Sequence, residues 1–83
     1  MIQEFQRDGI LQKIETPGTV PRVYVLPKFT QLTFDDKKAV VFLCYAYVYE
    51  LPQGASTEDP MWVYDAMTNE KLGSISQWGF QME

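Results

Sequence analysis

The chain has 83 residues, 46% of them hydrophobic and 14% aromatic, and its eleven acids against seven bases leave a net charge of −4. A chain this short holds one core and buries only about 60% of the surface its unfolded form exposes, so residues 1–83 read as one small domain with apolar surface to spare for a partner. With no histidine and one cysteine, it lacks the usual metal ligands, an internal disulfide and a side chain that titrates near neutrality, while its acidity works against phosphate backbones and anionic lipid.

In chain order, Met1 to Gly9 (MIQEFQRDG) has no apolar run after a basic start, and Ile2 and Phe5 fit a short helix or an extra strand equally, because Gln6, Arg7 and Asp8 interrupt any period. Ile10 to Glu15 and Val20 to Leu26 are rich in β-branched and aromatic residues and flank Thr16-Pro17-Gly18-Thr19, where proline presets φ and glycine accepts a positive one. This predicts a hairpin. Pro21 donates no ladder hydrogen bond, so the second strand is an edge or starts after it, and Pro27 stops it.

Thr33 to Leu51 decides the architecture. Val40, Val41, Phe42, Tyr45, Tyr47, Val48 and Tyr49 favour a strand, whereas the length and the boundary signals favour a helix. Thr33 and Asp36 have capping-box spacing, Asp35 and Asp36 suit the positive end of a helix dipole, and Pro52 with Gly54 marks the stop. Caps and length outweigh a propensity difference of about 1 kcal/mol or less per residue, so a helix is predicted. The alternative is an all-β roll or small barrel with Ala39 to Tyr49 as its central strand. That apolar run has eleven residues, and a membrane span needs about 20. No membrane partner is therefore expected, and the chain reads as soluble and cytoplasmic, in weak agreement with its single cysteine.

Gln53 to Pro60 is a polar connecting loop. Met61 to Ala66 and Lys71 to Ser76 then flank Met67-Thr68-Asn69-Glu70, a second hairpin in which Asp65 forms an Asx-type turn and Asn69 takes a left-handed φ. A bulge at Gly73 would let Leu72 and Ile75 both face the core despite their opposite parity. Trp78 to Met82 alternates apolar with small or polar residues, which suggests a last strand or an ordered extension packing one face. The fold class read from these elements is α+β: a mostly antiparallel sheet of four to five strands, in ββαββ order, with one central helix packed on one face.

Chemistry-bearing constellations are scarce. Asp35-Asp36 and Glu58-Asp59 are neighbours whose side chains diverge, where a metal or an acid-base pair needs convergence from separate backbone positions. Cys44 has no histidine to activate it, and no phosphate-cradling glycine loop, Ser-His arrangement or HExxH occurs. No catalytic residue, cofactor or metal is expected, and the chain reads as no enzyme.

Aromatic surface is the remaining signal. On a helical wheel, Phe42, Tyr45 and Tyr49 form one stripe, Val40, Leu43 and Tyr47 another, and Val41, Cys44 and Val48 a third, which is more than one sheet covers. Trp62, Tyr64, Trp78 and Phe80 sit at even positions, so each pair shares a sheet face if the pleats are continuous. Ring platforms for bases come with basic grooves, and here Lys71 lies amid Asp65 and Glu70, so no nucleic-acid partner is expected. The reading is a small non-catalytic interaction protein, a homo-oligomer or an accessory subunit of another protein, with Phe42, Tyr45, Tyr49, Trp62, Tyr64, Trp78 and Phe80 as candidate interface. Its alternatives are a module with an aromatic-lined pocket for a small-molecule ligand, and an acidic inhibitor or immunity-type protein for a basic partner.

Overall fold

The computed structural model of the protein describes residues 2–16, 20–51 and 59–82. The first segment forms α1 (Ile2–Arg7), whose Ile2 and Phe5 pack against the core, and the chain leaves it through Gly9 at a φ of 76°. β1 (Leu11–Glu15) and β2 (Arg22–Val25) pair antiparallel as a hairpin, its expected turn at Pro17 to Thr19 lying outside the described residues. β2 starts directly after Pro21, and Pro27 opens the single-turn α2 (Pro27–Thr30), where a missing N–H costs nothing.

The long middle segment is helical. α3 (Phe34–Val48) starts at Thr33, whose hydroxyl accepts from the Asp36 N–H at 3.2 Å, with Asp35 and Asp36 in its first turn. It stops before Pro52, by a local device. Glu50 turns left-handed at a φ of 53°, its N–H donates to the Tyr47 carbonyl, and the Leu51 N–H donates to the Ala46 carbonyl at 2.9 Å. This is a Schellman termination with glutamate where glycine is usual, closed by half-buried Leu51 against the core.

β3 (Met61–Asp65) and β4 (Lys71–Ser76) form the second hairpin. The Asp65 carboxylate accepts from the Met67 N–H at 2.8 Å, and Asn69 has a φ of 62°, as their residue types predict. The register shifts between Val63 and Tyr64, leaving Leu72 unpaired, so Leu72 packs against the core and Ile75 lies within it. β5 (Gly79–Met82) completes the meander. The last strand begins one residue later than its alternation suggests, because Gln77 and Trp78 make the turn between paired Ser76 and Gly79.

Together the strands form one five-stranded sheet in the order β1-β2-β3-β4-β5. Only β2 and β3 run parallel, joined through α2 and α3; the other neighbours are antiparallel. The class is α+β with one main helix packed on a sheet, and the expected ββαββ order is extended by α1, α2 and a third carboxyl-terminal strand. One face of the sheet carries Leu11, Val23, Val25, Met61, Val63, Ile75 and Phe80, which close with Phe29 and with Val40, Val41, Cys44 and Tyr45 of α3 into one core cluster. Gly73 lies on this face where β4 and β5 pass closely, and a Cβ there would run into the Gln81 carbonyl oxygen and meet the Met82 sulfur at 2.9 Å.

Candidate functional site

The described residues leave two surfaces uncovered, one on each side of this sandwich, and period decides what each carries. α3 has no polar side, so burying its Val40, Val41, Cys44 and Tyr45 stripe sends other apolar residues outward. Ala39, Phe42, Leu43, Ala46 and Tyr47 recur at the three- and four-residue spacing of one helix face. Phe42 is 47% exposed and Tyr47 61%, Ala39 is exposed, and Leu43 and Ala46 are half-buried. Asp35, Asp36 and Glu50 are exposed at the ends of this stripe.

Beside it lie two depressions. One, of about 190 Å³, is a mostly apolar groove between α3 and the β4–β5 turn, lined by Lys38, Phe42, Tyr45, Ile75, Gln77 and Phe80. The other, of about 590 Å³ and open to solvent, is bordered by Ile14, Thr16, Ala46, Tyr47, Val48 and Glu50.

On the far side of the sheet, residues of opposite parity line up. Lys13 pairs with Tyr24, Tyr24 with Tyr64, and Tyr64 with Lys71, while Glu15 pairs with Arg22 and Arg22 with Trp62. The Tyr24 and Tyr64 rings are 5.7 Å apart, and Trp62 lies 6.4 Å from Tyr64. Cations sit over these rings: Lys13 at 5.1 Å from Tyr24, Arg22 at 5.1 Å from Tyr64 and 5.9 Å from Trp62, and Lys71 at 4.8 Å from Trp62. A hydrogen bond to Tyr24 raises the Arg22 pKa further above its ordinary value, against some desolvation and with help from Tyr64 and Glu15. The Arg22 Nε, however, is buried without a hydrogen-bond partner among the described residues.

The seven aromatic residues singled out from sequence therefore do not form one surface. Phe42, Tyr45 and Phe80 meet at the small groove, but Tyr45, only 2% exposed, and Phe80 belong to the core. Tyr45 and Tyr49 pack edge to face at 5.3 Å, and their hydroxyls donate to the Asp59 and Pro60 carbonyls, each at 2.7 Å. These hydroxyls fasten the end of the connecting segment to α3, which is why the helix buries this stripe and presents the Leu43 and Tyr47 side. Desolvation, then the Asp59 charge and Tyr45, push the Tyr49 pKa up. Trp62 and Tyr64 share the outer sheet face, as parity predicts. Trp78 does not share a face with Phe80: it is 85% exposed at the turn. Sequence reasoning missed Lys13, Arg22 and Tyr24, whose signal was the alternation of Arg22-Val23-Tyr24-Val25.

Catalytic chemistry has little to draw on among the described residues. Burial pushes the Cys44 thiol up to about 12, which keeps it protonated and non-nucleophilic. No group of three or more Cys, Asp or Glu able to hold a metal occurs among the described residues. No helix among them is long and apolar enough to cross a membrane. Compared with known proteins, the chain matches no family model, no curated protein and no solved structure.

Proposed function

We propose that this chain is a small non-catalytic interaction protein that self-associates through the outer side of α3. The observation that carries the reading is the circumference of that helix: its buried arc fills the core, and a second apolar arc, Ala39, Phe42, Leu43, Ala46 and Tyr47, is left with nothing over it among the described residues. The arc suits another copy of itself. Two alanines seven residues apart let backbones approach, the larger side chains between them supply apolar area, and the charges stand at the ends. A two-fold contact also needs a surface that complements itself, and the exposed Phe42 and the depression beside Tyr47 offer a projection and a hollow on the same side.

A pocket for a small molecule has weaker support. The groove of about 190 Å³ is smaller than the roughly 300–1,000 Å³ of ordinary ligand sites, and the larger depression is open. The self-association reading is tested by light scattering at micromolar concentration. Wild type is expected at twice the mass of one chain, and Tyr47→Lys with Phe42→Lys at the mass of one. A wild type that stays at single-chain mass up to roughly 1 mM, the weak end of measurable affinity, would refute it.

A further inference from the structure

We infer that the outer face of the sheet is a binding surface for single-stranded nucleic acid, with Trp62 and Tyr64 as the stacking platform and Lys13, Arg22 and Lys71 as the phosphate contacts. The sequence argues against this by net charge, but net charge is not what a ligand meets. Strand pairing gathers three of the chain's seven cations over one ring cluster, and Glu15, 3.7 Å from Lys13, is the only carboxylate from β1, β2, β3 or β4 that pairs into it. Lys71, which directly follows Glu70 along the chain, stands 4.8 Å from the centre of the Trp62 ring in space. Rings flanked by cations on an open sheet suit an extended chain of bases and phosphates, because every base presents a π-face and every link a negative charge.

Free and bound states exchange one contact for two. Without ligand, Lys71 and Arg22 rest over the rings; a base stacking on Trp62 or Tyr64 displaces the cation, which then meets the adjacent phosphate. Arg22 gains most, since its Nε has no acceptor among the described residues. Tyr24, buried beside Tyr64 on the neighbouring strand, flanks the platform. An acidic polypeptide would satisfy the cations alone and leave the rings unused.

The test is fluorescence anisotropy of a labelled oligothymidine of about eight nucleotides, within the usual range of site sizes, titrated with the full chain carrying Trp78→Phe so that Trp62 is the single indole. Saturable binding with quenching of Trp62 is expected. Three phosphate contacts predict a slope of log affinity on log salt of about −2. Lys71→Glu, at an exposed position, is expected to weaken binding at least tenfold, and Trp62→Ala roughly 5- to 100-fold by loss of one stack. Circular dichroism checks that each variant is folded, and Lys71→Glu carries the test if Trp62→Ala is not. No saturable binding at low salt overturns the inference. So does equal competition by polyglutamate, which would show that the face reads charge without bases. Neither result bears on the mass of the assembly, which belongs to α3.

Discussion

On the outer side of α3, Phe42 and Tyr47 stand exposed because a helix that is apolar all round can hide only the arc that faces its sheet; on the outer face of the sheet, Trp62 and Tyr64 are half-covered because neighbouring strands lay Arg22 and Lys71 over them. The first surface is apolar with charges of both signs around its ends, and the second is aromatic with cationic edges. Neither property shows in a net charge of −4. The difference teaches that a small chain acquires two chemically distinct faces from two periods, 3.6 and 2, running over similar residue types.

The comparison requires that the dry layer between the two faces, and neither face itself, holds the fold. The largest expected effect tests that layer. The Cys44 thiol is fully buried and its pKa lies at about 12 against an ordinary 9.0, so the folded chain keeps a proton that the unfolded chain loses. Its stabilising contribution is complete below pH 9 and lost as pH rises toward 12, on the order of 4 kcal/mol from the full shift. Tyr49, also shifted upward, acts in the same direction. Denaturation midpoints measured across this range should fall steeply for wild type and less steeply for Cys44→Ala; parallel curves would contradict the assignment.

Next in size, Gly73→Ala separates the two faces. The added methyl meets the Gln81 carbonyl and Met82, forcing β5 away from β4 at a cost of about 1–3 kcal/mol, while the outer stripe of α3 is untouched. The variant should lose stability in a denaturant titration and, where folded, retain the assembly mass of wild type. Tyr45→Phe is expected to cost about 0.5–1.5 kcal/mol by leaving the Asp59 carbonyl without this donor, and a cost near zero would show that the hydroxyl does not hold the connecting segment.

The smallest effects on stability fall on the faces themselves. Tyr47→Lys should change monomer stability by less than about 0.5 kcal/mol. Salt sharpens the contrast: the outer stripe of α3 is apolar and the charges around its ends, Asp35, Asp36, Lys38 and Glu50, are of mixed sign, so raising ionic strength should change self-association little, whereas binding at the cationic face should weaken. Salt dependence of the same sign at both faces would dissolve the distinction.

Local signals made much of the fold legible. Thr33 and Asp36 announce the start of α3, Asp65 and Asn69 the second turn, and Pro21 and Pro27 the limits of β2. Non-local pairing was not legible. Nothing in the residues of β2 and β3 says that they run parallel side by side, and that pairing is what sets Arg22 beside Trp62 and Tyr24 beside Tyr64. The buried arc of α3 was ambiguous for a related reason: three apolar stripes compete, and carbonyls of Asp59 and Pro60, distant in sequence, select the Tyr45 and Tyr49 side. Trp78 misled because alternation alone does not reveal that a two-residue turn ends at Gly79, whose φ is 118°.

Cysteine crosslinking tests the self-association of α3 most directly, since it reports which face meets its copy. Leu43→Cys places a thiol at the middle of the outer stripe, Ser74→Cys places one on the sheet's outer face, and native Cys44 is buried in both. Under mild oxidation at micromolar concentration, Leu43→Cys is predicted to form a disulfide-linked dimer well ahead of Ser74→Cys, because a two-fold contact through the outer stripe would bring the two copies of position 43, and not of position 74, near the roughly 4.4–6.8 Å between Cα atoms that a disulfide spans. Equal rates for the two, or faster linkage through Ser74→Cys, would contradict the account.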